Sequence, residues 1–143
     1  MSINKRNSEG YFDPTAYEAL VKIEREAKRT RTYRPLVYVC SPLSGDIAAN
    51  QKNARRYCRS VVKRGGIPLA PHLLFPQFMD DTSAEERNLA IFMDIVLLSK
   101  CAELWVFGER ISKGMSIEIE KAKRKGQPIR WFTDDCKEVT HHA

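Results

Sequence analysis

A chain of 143 residues with 43% hydrophobic and 29% charged residues has the balance of an ordinary globular protein and the length for one real core, which sets aside disordered and fibrous classes. No apolar run approaches the ~18 residues of a membrane span, and Met1 to Arg6 is polar without the apolar stretch of a signal peptide, so a cytoplasmic protein with no membrane partner is expected. The formal net charge of +6 is compatible with a nucleic acid, with an anionic small ligand or with solubility alone.

Residues 1–12 read as a loose arm. Asp13-Pro14 then opens a helix that carries Tyr17, Leu20, Val21 and Glu24 to about Arg29, with Asp as N-cap and Pro at the first helical position. A basic linker follows, and residues 1–34 form an N-terminal segment whose helix packs either on the domain's flank or on a second subunit. The run Leu36-Val37-Tyr38-Val39-Cys40 is a short β-branched and aromatic strand between Pro35 and Ser41-Pro42. A helix from Ala48 to Arg64 places Ala54, Tyr57, Cys58, Val61 and Val62 on one face and stops at Gly65-Gly66. Ile67 to Ala70 is a second short strand, weakened by Pro68.

A loop from Pro71 to Asp81 leads to Thr82-Ser83-Ala84-Glu85-Glu86, a capping signature with acids in the first turn, and the helix it starts runs to about Lys100. Glu103 to Phe107 is the third strand. Ser112 or Lys113 begins a helix that ends at Gly126, and Pro128 to Phe132 is the fourth strand. Residues 134–143 read as a polar tail in which His141 and His142 are solvated. The fold class is therefore α/β: a single three-layer domain over residues 35–133, with a parallel, flavodoxin/Rossmann-like sheet of four to five strands, plus the N-terminal helix. In such a sheet ligands bind outside the carboxyl ends of the strands. The segments of interest are Ser41–Asp46, Pro71–Asp81 and Gly108–Gly114.

The four cysteines sit in the first strand (Cys40), on a helix (Cys58), at a helix end (Cys101) and in the tail (Cys136). None is spaced C-x-x-C, so neither a metal site nor a disulfide framework is expected. The basic residues gather at Lys22–Arg34 and Lys121–Lys125, both at helix C-terminal ends, where cations meet the negative end of the helix dipole. No P-loop, no G-x-G-x-x-G after the first strand and no G-x-S-x-G is present, and His72 is the only histidine inside the domain. No cofactor is expected.

Two carboxylates are out of place. Glu118 shares its helical face with Met115, Ile119 and Ala122, the face that presses on the sheet, and it lies about one turn from a helix start whose free N–H groups favour an anion. Asp94 interrupts Leu89 to Leu98, a helix apolar nearly all round, where a lone charge is costly unless paired or lining a wet cavity. Each also has a plain structural reading, Glu118 bonded to a neighbouring loop and Asp94 turned to solvent.

Tyr38, the loop Ser41-Pro42-Leu43-Ser44-Gly45, Asp94 and Gly114-Met115-Ser116-Ile117-Glu118 together resemble the nucleoside 2-deoxyribosyltransferase superfamily, which includes 2′-deoxynucleoside 5′-phosphate N-hydrolases. The resemblance spans about Leu36 to Phe132 and is greatest to small bacterial and phage members. It implies that Glu118 attacks the anomeric carbon of a deoxyribose, that Tyr38 hydrogen-bonds this nucleophile, and that Asp94 is a carboxylate near the base. The expected catalytic residues are thus Glu118, Asp94 and Tyr38, and the expected substrate-binding residues are Ser41, Ser44, Gly45, His72, Ser112, Gly114 and Met115. The implied partners are a nucleoside or nucleotide-like small molecule and further copies of the chain, as a dimer or larger.

The chain departs from the family pattern in two places. Ser112 stands where the transferases carry a further carboxylate, six residues before the nucleophile. Leu43-Ser44-Gly45-Asp46 lacks the arginine with which the 5′-phosphate hydrolases hold phosphate. Phe75 and Phe78 are read either as a lid that stacks on a base or as core. Three functions follow. The first is an enzyme acting on the N-glycosidic bond of a nucleoside or nucleotide derivative, by transfer or hydrolysis. The second is a binder of a nucleotide-derived ligand without turnover. The third, a nucleic-acid-binding protein using the basic stretch Arg25–Arg34, is disfavoured because aromatic residues are not interleaved with the charges.

Overall fold

A computed structural model describes residues 14–30 and 33–140. The predicted N-terminal arm, the Asp13 cap, Arg31 and the His141-His142 pair lie outside the described residues. Two units are distinguished, residues 1–33 and 34–143. In the first, α1 runs Pro14–Thr30, and Tyr17, Leu20, Val21 and Glu24 fall along one stripe of it by their spacing.

The second unit is a five-stranded sheet in the order β2-β1-β3-β4-β5. Its strands are β1 (Leu36–Cys40), β2 (Ile67–Leu69), β3 (Glu103–Phe107), β4 (Ile129–Phe132) and β5 (Glu138–Val139). The first four pair in parallel, with Tyr38 opposite Leu69 on one side and Leu104 on the other, and β5 pairs antiparallel to β4. Helix α2 (Ile47–Lys63) covers one face; α3 (Ala84–Lys100) and α4 (Lys113–Lys125) cover the other. Right-handed crossovers require this split. The step from β1 to β2 moves one way along the sheet, and the steps from β2 to β3 and from β3 to β4 move the opposite way. The three-layer α/β expectation is met.

Alternation along the strands makes two cores. Tyr38, Cys40, Leu104 and Val106 face α3 and α4 and pack on Leu98, Met115, Ile119 and Ala122. Val37, Val39, Trp105, Phe107 and Phe132 face α2 and pack on Tyr57 and Val61. The second core is aromatic: Tyr57 stacks on Phe107 at 4.6 Å and Phe107 on Phe132 at 4.8 Å. Arg130 lies over Trp105 at 4.4 Å and closes its outer side.

The predicted helix starts and stops are found at Ser83, Ser112 and Gly126, each as a cap. Pro68 is tolerated because β2 is an edge strand. Gly66 is required by packing, since a Cβ there would meet Val61 Cγ1 at 2.8 Å. Two segments differ from the sequence reading. The loop after β2 holds short 3₁₀ turns at Pro71–Leu73 and Phe75–Gln77, each with a proline at its start. Part of the expected polar tail forms β5, where the Arg130 guanidinium donates to both Glu138 carboxylate oxygens at 2.8 and 2.6 Å. That bidentate pair supplies what a two-residue strand lacks in hydrogen bonds.

Candidate functional site

The sheet order reverses between β1 and β3, and the candidate residues gather along the α3/α4 face beside that reversal. Strand alternation sends Tyr38 and Cys40, two positions apart, to the same face. Helix α4 buries Met115, Ile119 and Ala122, and Glu118 rides inward with them. The Tyr38 hydroxyl donates to Glu118 Oε2. The Cys40 thiol lies 3.6 Å from Glu118 Oε1 and 3.9 Å from the Met115 carbonyl oxygen. Two donors from one strand thus hold the two carboxylate oxygens. No lysine or arginine lies within ion-pair distance of Glu118 among the described residues.

Burial pushes the Glu118 carboxyl up to about 8; the Tyr38 hydrogen bond opposes that rise, the Asp94 charge adds to it, and the Cys40 contact opposes it. Asp94 is pushed up to about 7 by burial, and its Oδ1 is buried with no hydrogen-bond partner among the described residues. Glu118 is thus held by a strand rather than by a neighbouring loop, and Asp94 keeps one oxygen out of solvent. Burial and the neighbouring Glu118 charge drive the Tyr38 hydroxyl far above its usual range, so it remains a donor at any ordinary pH. The same two causes raise the Cys40 thiol.

A hollow of about 60 Å³ opens beside this group, lined by Asp94 from α3, by Leu43 after β1, and by His72, Phe75 and Met79 from the segment after β2. Glu118 does not line it; Asp94, whose charge acts on Glu118, is the link between the two. At the hollow's rim Ser41 Oγ and His72 Nε2 are 2.8 Å apart. Burial lowers His72 to about 4, so its ring is neutral at pH 7 and offers a hydrogen bond rather than a charge. Phe75 meets Phe78 edge to face at 6.0 Å, with Phe78 65% exposed. Of these two residues, read from the sequence as either lid or core, Phe75 lines the hollow and Phe78 faces outward.

The remaining predicted residues are placed less directly. Met115 is only 1% exposed and belongs to the core, so it offers a ligand no side-chain surface. The Ser112 hydroxyl is taken up as the α4 cap, accepting the Met115 N–H at 3.2 Å. Gly114 has open space where a Cβ would stand. Ser44 and Gly45 are exposed at the tip of the loop after β1. The positive φ of Gly45, 100°, lets the chain turn into Asp46, whose side chain caps α2 at the Ala49 N–H, 3.1 Å away. The Asn50 side-chain amide donates to the Leu43 and Ser44 carbonyls at 2.9 and 3.0 Å and fixes that loop.

Sequence reasoning missed Cys40 as a neighbour of Glu118, although its spacing from Tyr38 carried the signal. A second cleft of about 570 Å³ lies on the α2 side, and Pro42, Gly108, Glu109 and Arg110 of its lining fall in the marked segments Ser41–Asp46 and Gly108–Gly114. None of the ten predicted residues lines that cleft. Among the described residues no group of three or more His, Cys, Asp or Glu is placed to hold a metal ion.

Residues 35–132 match the family described as Domain of unknown function (DUF7768). No curated protein matches the chain. Among solved structures, a match is the 2-deoxyribosyltransferase from the psychrotolerant bacterium Bacillus psychrosaccharolyticus, described as a biocatalyst for the synthesis of antiviral and antitumoral nucleosides. It is 16% identical with a TM-score of 0.53, covering 73% of this chain and 76% of that one. At that identity the likeness is one of fold.

Proposed function

This chain belongs to the family described as Domain of unknown function (DUF7768), and from that premise we propose that it is an enzyme acting on the N-glycosidic bond of a nucleoside or nucleotide derivative, by deoxyribosyl transfer or by hydrolysis. One observation carries the reading: a carboxylate turned inward, held by Tyr38 and Cys40, with a second, half-buried acid whose charge acts on it and no cation within ion-pair distance among the described residues. An ordinary structural acid is paired or solvated. The likeness in fold to a 2-deoxyribosyltransferase supports the same reaction class. We assign the activity to residues 35–133.

In this mechanism a Glu118 oxygen attacks C1′ of the sugar as the C1′–N bond breaks and its electron pair passes to the base. Asp94, holding a proton, delivers it to the departing base. Water or a second base then attacks C1′ and releases the Glu118 carboxylate, the two-step logic of a retaining glycosidase. Tyr38 holds the nucleophile in its line of attack, and the Ser41–His72 pair supplies uncharged hydrogen-bonding groups at the rim. The hollow of about 60 Å³ is far below the roughly 300–1,000 Å³ of small-molecule sites. Glu118 does not line that hollow, so attack on C1′ requires the site to open wider than it stands.

The test is release of free base, followed by chromatography, from a panel of deoxynucleosides and deoxynucleotides with and without an acceptor base. The rate is expected to peak between pH 7 and 8, where the pair holds one proton; with Glu118 at about 8 and Asp94 at about 7, the productive arrangement, Glu118 ionised and Asp94 protonated, is the less populated of the two. The two groups titrate as a pair, so both limbs belong to the pair. Calorimetry that finds the ligand bound tightly and recovered intact would instead mark a binder without turnover.

A further inference from the structure

Resting on that reading of the site, we propose that the base of the substrate carries a positive charge, as in a pyridinium or N7-alkylpurinium nucleoside. The charged residues around the hollow are Asp80, Asp81, Glu86 and Asp94 against Arg87 alone. The outer carboxylates Asp80, Asp81 and Glu86 outnumber the single guanidinium even where Asp94 holds its proton, on a chain whose own net charge is +6. The sign is reversed at the one place where a ligand is proposed to enter.

Asp80, Asp81 and Glu86 have no ion-pair partner among the described residues. The ion pairs among the described residues are Arg56–Asp134, Arg64–Glu138, Arg124–Glu120 and Arg130–Glu138, none of which involves the hollow. His72 at the rim is neutral and offsets nothing. Two of the carboxylates are fixed in place. Asp80 Oδ1 accepts the Thr82 N–H at 2.9 Å, and Glu86 Oε2 accepts the Asp80 N–H at 3.2 Å. Between them the wall is apolar at Leu43, Phe75 and Met79, and low-dielectric walls focus the field of the surrounding charges. Asp94 Oδ1 is buried without a partner among the described residues, and the Asp94 charge acts on Glu118.

A cationic base also simplifies the chemistry. When a Glu118 oxygen attacks C1′, the electron pair of the C1′–N bond returns to the positively charged ring nitrogen, and the base departs neutral with no proton supplied. Asp94 is then free to act as a carboxylate facing the charge. Water attacks C1′ in the second step, its oxygen becomes the sugar hydroxyl, Glu118 leaves as carboxylate, and the surplus proton passes to Asp94. The groups that face Glu118 are Tyr38 and Cys40 from β1 and Asp94 from α3. A cation in the hollow favours the ionised form of both acids and so creates the nucleophile as it binds.

The experiment uses nicotinamide 2′-deoxyriboside, a permanent cation, and its 1,4-dihydro form, which has the same sugar and carboxamide without the charge. Both are titrated calorimetrically into the Glu118→Gln protein, which cannot turn them over. The cation is expected to bind at least about tenfold tighter at low salt, and the gap should narrow as sodium chloride screens the exposed acids. It should narrow likewise in the combined Asp80→Asn, Asp81→Asn, Glu86→Gln protein; if that protein fails to fold, the salt series carries the test. Equal or weaker binding of the cation overturns the inference. Base release from 2′-deoxyinosine by the wild type, with the cation neither bound nor cleaved, also overturns it while the glycosidic reading stands. If none of the three compounds is bound or cleaved, both fall together.

Discussion

Replacing Glu118 by alanine is expected to lower the rate of base release by at least about 10³-fold, with KM little changed. The side chain proposed to form the covalent bond has no substitute nearby, because the other acid, Asp94, lines the hollow instead. Residues that act as a unit in the chemical step lose most of the rate when one is removed. Asp94→Asn should cost less, on the order of 10²-fold, which is the usual contribution of a general acid. It should also remove the alkaline limb of the pH profile for neutral bases. Single-turnover kinetics on both variants separates the two roles. Base release by Glu118→Ala at the wild-type rate would end the case for Glu118.

The same position should show the opposite effect on stability. Glu118→Gln is expected to raise the stability of the fold at pH 9 by about 2–4 kcal/mol and to change it little at pH 4. The folded-state pKa of about 8 lies above the ordinary 4.5 because burial penalises the charge. Stability contributed by the protonated form is fully present below about 4.5 and is lost as pH rises through about 8. Glutamine keeps the shape, accepts the Tyr38 hydroxyl and never ionises, so the difference between the proteins grows across that window and then levels off. Thermal unfolding of both at pH 4, 7 and 9 measures it. A gain of this size would raise the Tm at pH 9 by roughly 8 °C or more. Equal Tm values at all three pH values would mean that Glu118 is solvated rather than buried.

Much of this site was legible from local pattern. Helical spacing alone put Glu118 among Met115, Ile119 and Ala122, all three buried in the structure. The same reasoning marked Asp94 as a charge in an apolar helix, and its carboxyl has a buried oxygen. Alternation in β1 also places Cys40 on the face of Tyr38, but a cysteine in a buried strand reads as packing. Met115 reads two ways in the sequence, as part of the motif beside Glu118 and as part of the face on the sheet, and its side chain is buried in the core. The acidic wall at Asp80, Asp81 and Glu86 had no signal along the chain. Its acids read as an ordinary loop and helix cap, and only the crossover from β2 to β3 carries them across to the candidate site. Strand β5 was hidden for a related reason, because two polar residues acquire strand geometry from their pairing with β4 and from Arg130.

The most direct measurement is to trap the glycosyl-enzyme. A 2′-deoxy-2′-fluoroarabinosyl nucleoside slows release of the sugar ester, and mass spectrometry of the intact and digested protein then locates the added mass. A single fluorosugar on the peptide that contains Glu118, absent from Glu118→Gln, is the expected result. Turnover of the parent nucleoside with no adduct, or with the sugar attached at another residue, would contradict the account at its root.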